Sequence, residues 1–194
     1  VSWDASMKDR SCVAVAMSGG VDSSVTAALL LEAGFDVIGL TLRMLDVGPD
    51  ESEPTCGGMS AVASARAVAD RLGVPHHVID CGPEFRDRVL APAWADYAAG
   101  RTPNPCVQCN RVIKFGLMMD KAFALGANAL ATGHYARIAP GPDGAPALFR
   151  GLDRAKDQSY FLYRIPGNRL KSVQLPLGEM TKPEVRALPA RMGL

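Results

Sequence analysis

One short segment limits the fold of this chain more than any other: Ser18-Gly-Gly-Val-Asp-Ser-Ser24, which joins an apolar run to a helical pattern. The apolar run, residues 13–17, is typical of a buried central strand, and residues 23–33 have the pattern of a helix. A Gly-rich turn in this position leaves backbone N–H groups free at the positive end of the helix dipole. The segment therefore predicts a strand–loop–helix unit that binds a phosphate group.

The rest of the chain repeats the alternation of short apolar runs and helical patterns. Three runs predict strands and three longer segments predict helices: residues 36–42, 77–80 and 128–131 for the strands, and residues 59–72, 84–99 and 114–125 for the helices. This alternation predicts an α/β fold built on a doubly wound parallel sheet. The turn-rich residues 140–146 predict a protruding hairpin. Thr181 and Glu184 have the spacing of a capping box, which opens a last helix.

We divide the 194 residues into three parts. Residues 1–11 are interpreted as an N-terminal extension or vector-derived remnant, residues 12–165 as a catalytic domain, and residues 166–194 as the start of a further region. No apolar run approaches the roughly 20 residues that span a bilayer, and residues 1–10 lack the apolar core of a signal peptide. We therefore expect a cytoplasmic protein that has no membrane partner.

Charge is distributed unevenly along the chain. Residues 101–171 contain 11 Lys and Arg against 4 Asp, a net charge of +7, whereas the whole chain has a net charge of only +1. Such polarity indicates that one face meets a polyanion. Chance clustering on solvated loops is the alternative, and charge alone does not decide between them.

The phosphate-binding segment excludes two common nucleotide-binding classes. It has no Lys at the position that GxxxxGK[ST] requires, and it does not match GxGxxG, which disfavours P-loop kinases and dinucleotide-binding dehydrogenases. It resembles the pyrophosphate loop of the N-type ATP pyrophosphatases, the PP-loop superfamily. That resemblance implies ATP cleaved between its α- and β-phosphates. Asp22 is an acidic residue in an anion site, so we expect Mg²⁺ to bridge it to pyrophosphate.

Cys106 and Cys109 form a CxxC motif within residues 100–110, where two prolines and two asparagines predict irregular structure. Half of a zinc site would need a second ligand pair, which the remaining cysteines do not supply. An iron–sulfur cluster would need at least one more thiolate. A nucleophilic or disulfide-forming thiol needs only one partner and fits best. Two packed cysteines without chemistry fit such a polar segment poorly.

Four motifs make the resemblance specific. They are GRTPNPCVQCNRVIKFG at residues 100–116, ATGHYAR at residues 131–137, KDQSYFLY at residues 156–163 and LGEMTKPEVRALPARMGL at residues 177–194. In this order they resemble the family of tRNA-specific 2-thiouridylases, and the match covers residues 12–194 almost continuously. Members of that family continue into central and C-terminal β-domains, so we expect these domains to follow residue 194.

The resemblance implies a role for individual residues. Cys109 corresponds to a catalytic cysteine, whereas the position of Cys106 is Asp in some members, and the persulfide-bearing cysteine is expected after residue 194. His134 is expected to orient a neighbouring loop, and Arg111 and Lys114 to contact phosphate. The residues expected to bind ATP are Ala16, Met17, Ser18, Gly19, Gly20, Val21, Asp22, Ser23, Leu42 and Gly133. Those expected to bind the target base or tRNA are Asn104, Pro105, Cys106, Lys156, Asp157 and Gln158.

The function that the resemblance implies is ATP-dependent thiolation of tRNA. ATP adenylates the C2 oxygen of the wobble uridine, and sulfur from a cysteine persulfide replaces that oxygen to give 2-thiouridine. A sulfur-relay donor protein is an expected partner, together with tRNA. The alternatives are another adenylating PP-loop enzyme, an iron–sulfur-dependent tRNA thiolase and, least favoured, a non-catalytic tRNA-binding module.

Overall fold

A five-stranded parallel sheet forms the centre of the computed structural model, which describes residues 11–44 and 58–192. The strand order is β3-β2-β1-β4-β7, and every neighbouring pair is parallel. The strands are β1 (Cys12–Ala16), β2 (Asp36–Arg43), β3 (His76–Asp80), β4 (Ala129–Ala131) and β7 (Val173–Gln174). Separately, β5 (Ala136–Pro140) and β6 (Pro146–Arg150) pair in an antiparallel hairpin. The predicted parallel sheet and the predicted hairpin are both confirmed.

Helices cover both faces of the sheet. The α-helices are α1 (Val21–Glu32), α2 (Met59–Leu72), α3 (Gly82–Phe85), α4 (Ala91–Ala98), α5 (Pro105–Cys109), α6 (Met119–Ala124), α7 (Ser159–Leu162), α8 (Gly167–Leu170) and α9 (Lys182–Met192). Two stretches have the wider π-helical turn, Arg86–Leu90 between α3 and α4 and Asn110–Met118 between α5 and α6, and Pro176–Glu179 is a 3₁₀-helix. No helix among the described residues is long and apolar enough to cross a membrane.

The two faces of β1 belong to two different hydrophobic cores, because side chains alternate along a strand. Val13 and Val15 pack with Leu30 of α1 and with Ala65 and Ala69 of α2. On the opposite face, Ala14 lies in a cluster that includes four side chains from the segment after the CxxC motif: Ile113, Phe115, Met118 and Met119. The predicted doubly wound α/β class is therefore confirmed.

Residues 100–110 differ from the prediction of irregular structure. A helix begins at Pro105 and continues through the π-helical stretch, so that it contains the whole CxxC motif. The Asn104 side chain accepts a hydrogen bond from the backbone N–H of Val107 at 3.3 Å. Asn at the N-cap followed by Pro at the first helical position is a strong helix start, because Pro lacks only an N–H that would be unpaired there. The prediction of an irregular CxxC segment was wrong for this reason.

Residues beyond 165 pack onto the same sheet. β7 is the edge strand of the sheet and pairs with β4. Val185 of α9 lies in a buried cluster with Val25 of α1 and Tyr135. Glu184 accepts hydrogen bonds from the backbone N–H and the hydroxyl of Thr181, both at 2.7 Å, and the first of these is the bond by which the Glu of a capping box reaches back to the N-cap. The division of the chain at residue 165 stays a prediction. Residues 1–10, and with them most of the predicted N-terminal extension, lie outside the described part of the chain.

Candidate nucleotide-binding site

A cleft of about 770 Å³, open to solvent, lies at the carboxyl ends of β1, β2 and β4. This is the place where ligands bind in open parallel sheets, because the loops leaving the strands separate there. The cleft brings together most of the residues predicted to bind ATP: Ala16, Met17, Ser18, Asp22, Ser23, Leu42 and Gly133. Gly19, Gly20 and Val21 belong to the same loop but do not line the cleft. Thr41, Met44, Ala61, Lys114, Met118, Thr132, His134 and Gln158 complete its wall.

The phosphate-binding loop is held by its own serines. The Ser18 backbone N–H donates to the Ser23 hydroxyl oxygen at 3.1 Å, and the Ser23 hydroxyl donates to the Gly20 carbonyl at 3.0 Å. The Ser24 hydroxyl donates to the same carbonyl at 3.0 Å. Gly20 is the N-cap of α1 and supplies no side-chain cap. The backbone N–H groups in the first turn of α1 therefore point out of the N-terminal end of the helix, which faces the cleft. An anion in the cleft can accept their hydrogen bonds.

Two glycines allow the backbone to approach closely at this loop. Gly19 has φ +75°, and a Cβ at that position would lie 2.5 Å from the Cβ of Ser64. Gly133 lies against α1, since a Cβ there would be 2.9 Å from the carbonyl carbon of Asp22. Side chains at these positions would push α2 or the loop after β4 away from the start of α1. The shape of the cleft thus depends on glycine at both places.

Asp22 has partners that the sequence did not indicate. The Lys182 ammonium donates to both carboxylate oxygens of Asp22, at 2.6 and 2.7 Å, and the Tyr135 hydroxyl donates to one of them at 2.9 Å. The same ammonium lies 5.6 Å from the centre of the Tyr135 ring. Lys182 lies in the segment that the sequence marked as a capping box and as a family motif, and neither signal indicated its contact with Asp22.

These contacts bear on the predicted Mg²⁺ site at Asp22. Asp22 is the one carboxylate that lines the cleft among the described residues, and its two oxygens already bind an ammonium group. Residues 11–44 and 58–192 hold no cluster of three or more His, Cys, Asp or Glu side chains suited to a metal ion. A Mg²⁺ that bridges Asp22 to pyrophosphate would take its other ligands from phosphate and water, and it would require Lys182 to release the carboxylate. That bridge stays a prediction, and we derive no step from it.

The far wall of the cleft carries a neutral histidine. Desolvation of the His134 ring, followed by the positive charge of Lys114, lowers the pKa of His134 well below its ordinary value. Its Nδ1 lies 2.7 Å from the hydroxyl of Thr132 at the end of β4. Thr41 donates to the Met17 carbonyl at 2.9 Å and thereby fixes the loop between β1 and α1 from the side of β2. The Lys114 ammonium and the Thr41 and Thr132 hydroxyl groups therefore line the same cleft as the predicted phosphate loop.

The two cysteines of the motif differ in exposure. Cys106 is exposed, whereas Cys109 is half-buried against the core cluster that also contains Cys81. Burial, followed by the charge of Cys109, raises the pKa of the buried Cys81 thiol to about 12. Cys56 lies outside the described residues. Within the described ranges no third ligand joins the CxxC pair, so the geometry offers an iron–sulfur cluster no ligand set, and we derive no step from one.

The residues predicted to contact tRNA lie in two places. Gln158 lines the cleft and accepts a hydrogen bond from the Tyr135 backbone N–H at 3.0 Å. Asp157 caps the turn before α7: burial acts to raise its pKa, but hydrogen bonds from the Gly151 and Ser159 backbone N–H groups hold that pKa below its usual value. Lys156 is exposed. Asn104 and Pro105 line a second cleft, beside the start of the CxxC helix.

The strand order and the loop at the start of α1 define the class of this protein. It has the HUP-type α/β fold, and the candidate nucleotide-binding cleft lies where the strand order reverses beside β1. The family model described as "tRNA methyl transferase HUP domain" matches residues 11–194, and the chain belongs to that family.

Curated relatives agree with the resemblance found in the sequence. The chain is 50% identical to the tRNA-specific 2-thiouridylase MnmA of Geobacter metallireducens over 192 residues, which cover 96% of this chain and 52% of that protein. It is 50% identical to the protein of the same name from Magnetococcus marinus over 184 residues, 94% of this chain and 51% of that protein. The chain thus spans about half the length of these relatives.

A solved structure supports the fold. The crystal structure of a 4-thiouridine synthetase–RNA complex with bound ATP superposes with a TM-score of 0.62 at 18% identity, over 94% of this chain and 41% of that one. At this identity the comparison shows the fold alone. The predicted PP-loop architecture is confirmed by it.

Proposed function

We propose that this chain is the ATP-binding half of a tRNA 2-thiouridylase of the cytoplasm. The observation that carries the proposal is the cleft itself: an uncapped helix N-terminus, a serine-held loop and a ring of polar side chains meet at the carboxyl ends of β1, β2 and β4. The curated relatives named as 2-thiouridylases give the reaction class. The neighbour solved with ATP and RNA supports the same pair of substrates.

In this proposal the cleft activates a uracil oxygen. The C2 oxygen of the wobble uridine attacks the α-phosphate of ATP, a bond to that oxygen forms, and the bond to pyrophosphate breaks. The leading amides of α1 and the Ser18 hydroxyl hold the departing pyrophosphate, because hydrogen bonds to developing charge lower the barrier. Lys182 neutralises Asp22, so that this carboxylate does not repel the phosphates.

The second half of the reaction replaces the activated oxygen. Sulfur from a persulfide adds to C2 and AMP leaves with the former uracil oxygen. Cys109 is the thiol of this chain assigned to the step: it releases sulfur from the persulfide by forming a disulfide with the cysteine that carried it. An external dithiol then reduces this disulfide, and a sulfur-relay protein transfers sulfur to the freed cysteine to restore the persulfide. The uridine must leave its stack to reach the cleft, as bases do in other base-modifying enzymes.

The test is ATP–pyrophosphate exchange by the full-length protein, with unmodified and with already thiolated tRNA. Exchange that requires unmodified tRNA supports the proposal. Exchange without any RNA would instead indicate another adenylating PP-loop enzyme, and binding of tRNA without exchange would indicate a non-catalytic binding module. A Ser18→Ala variant tests the cleft separately from tRNA binding. It removes one phosphate-facing hydroxyl and leaves the tRNA-facing residues intact.

A further inference from the structure

Tyr135, between β4 and β5, has hydrogen bonds that lead to two different predicted binding regions. It is only 2% exposed and lies in a buried cluster with Val25 of α1 and Val185 of α9. Its hydroxyl donates to the Asp22 carboxylate at 2.9 Å. Its backbone N–H donates to the Gln158 side-chain oxygen at 3.0 Å, and its carbonyl accepts from the Gln158 N–H at 2.9 Å. One residue therefore joins the phosphate loop to the segment predicted to contact tRNA.

Both ends of this connection are firmly held. A Cβ on Gly151, the residue after β6, would lie 2.7 Å from the Tyr135 carbonyl oxygen, so the end of the hairpin packs directly against the Tyr135 backbone. Gln158 is the N-cap of α7, and its carbonyl accepts a hydrogen bond from the Phe161 N–H at 3.0 Å. At the other end, Asp22 lies in the first turn of α1. A shift of the phosphate loop is therefore passed through Tyr135 to the start of α7.

Lys182 gives Asp22 a second tie to the same segment, but a looser one. Its ammonium binds Asp22, and its backbone N–H donates to the Asp153 carboxylate at 2.9 Å. Asp153 is separated from Gln158 by a stretch that includes the exposed residues 154–156. An exposed turn transmits a displacement less well than paired hydrogen bonds to a buried residue, because it opens locally at little cost. Tyr135 is therefore the stiffer of the two connections.

The hydrogen bond between Tyr135 and Asp22 has a charged acceptor, and such bonds are shorter and stronger than those between neutral groups. Burial, followed by the hydrogen bond to Asp22, raises the pKa of the Tyr135 phenol. The hydroxyl therefore keeps its proton and donates to the carboxylate throughout the neutral range. Replacement of Tyr135 by phenylalanine removes this bond and keeps both the buried ring and the backbone bonds to Gln158. The connection can thus be cut at one atom.

In the proposed reaction ATP and tRNA are held by separate segments, and a misplacement of about 1 Å between reacting groups can lower the rate about 100-fold. We infer that Tyr135 is a positioning residue that couples these segments, so that ATP and tRNA each bind more tightly when the other is present. ATP that orders the start of α1 also orders Gln158 through Tyr135, and tRNA then loses less conformational freedom on binding. Linkage makes the factor equal in both directions. This coupling rests on the proposed function, because it takes both substrates as given.

The experiment measures binding of α,β-methylene-ATP, which cannot release pyrophosphate, to the full-length protein with and without unmodified tRNA. In the parent, tRNA should tighten binding of the analogue at least about fivefold. Tyr135→Phe should reduce this factor to below about twofold, whereas its affinity for the analogue alone stays within about twofold of the parent's, because Lys182 still neutralises Asp22. In tRNA-dependent ATP–pyrophosphate exchange the variant should lower kcat at least about tenfold with a nearly unchanged KM for ATP. Tyr97→Phe, at an exposed tyrosine of α4, is the matched control.

Amide hydrogen exchange tests the same coupling in the parent protein without any substitution. The ATP analogue alone should slow exchange in the peptide that covers residues 156–163, and Tyr135→Phe should remove that slowing. No slowing in the parent would overturn the coupling, even if the variant failed to fold. A Tyr135→Phe protein that keeps the parent's coupling factor would also overturn it, and tRNA-dependent exchange by the parent would leave the proposed function standing. A parent protein without tRNA-dependent exchange would refute the proposed function itself.

Discussion

Replacing Lys182 by methionine tests the charge balance of the nucleotide cleft. Lys182 contacts both oxygens of Asp22, and the two side chains are only 19% and 33% exposed. Methionine keeps the length and most of the volume of the side chain but removes its charge. The carboxylate then keeps only the hydroxyl of Tyr135 as a partner in the contacts described above.

Two magnitudes follow from this geometry. A charge-assisted hydrogen bond contributes about 1.5–3 kcal/mol, and partial exposure favours the middle of that range, about 2 kcal/mol. For a chain of this size such a loss lowers the melting temperature by about 4–8 °C. An unpaired carboxylate also repels a bound phosphate: two unit charges taken to lie about 8 Å apart interact by about 1–2 kcal/mol at an effective dielectric constant of about 20–40. That repulsion weakens ATP binding about five- to thirtyfold.

The assay is a double-mutant cycle on Lys182→Met and Asp22→Asn, read by thermal unfolding and by ATP binding. The cycle should give a coupling free energy of about 2 kcal/mol. The double variant should recover most of the ATP affinity that Lys182→Met loses, because the amide of Asn does not repel phosphate. Lys171→Met, at an exposed lysine outside the cleft, is the matched control. Loss of ATP affinity that persists in the double variant would refute the neutralising role and indicate that Lys182 contacts phosphate directly.

Four other substitutions and one labelling experiment test the remaining assignments. Gly20→Val should abolish ATP binding and still fold, since a Cβ there meets nothing nearer than the Ser18 hydroxyl oxygen at 3.6 Å; unchanged affinity would contradict the loop assignment. Lys156→Ala should reduce the salt slope of tRNA binding by about one, and an unaltered slope would exclude a phosphate contact. Cys109→Ser should lose tRNA thiolation whereas Cys106→Ser retains it without bound iron; equal loss together with stoichiometric iron in the parent would favour a cluster. Iodoacetamide at pH 8 should label Cys106 and not Cys81, because a pKa of about 12 keeps the Cys81 thiol protonated; rapid labelling of Cys81 would show that its burial is not maintained.

Local sequence signals predicted the elements that depend on neighbouring residues. The predicted helix over residues 59–72 has the same bounds as α2. Its C-terminal end was predictable because Gly73 takes the left-handed conformation, with φ 68°. Likewise, Gly34 follows α1 with φ 88°. The phosphate loop was predictable for the same reason, since its serines bond to atoms no more than five residues away.

Contacts between distant parts of the chain could not be predicted in this way. Lys182 meets Asp22 across 160 residues and Tyr135 meets it across 113, and no local pattern of charge or periodicity joins these positions. β7 consists of only two residues, Val173–Gln174, which is too short for an alternating pattern. The helical CxxC motif is a different case: its start was readable at Asn104-Pro105, but Pro and Asn were taken as signs of a loop.

The distance in sequence between Asp22 and Lys182 also has a consequence during synthesis. A ribosome that adds about 5–20 residues per second needs roughly 8–32 s to travel from one to the other, since they are 160 residues apart. During that time the nascent chain already contains the whole phosphate loop, but its carboxylate has no ammonium partner. A growing polypeptide therefore acquires a charge-balanced ATP cleft only after the last strand of the sheet and the start of α9 have left the exit tunnel.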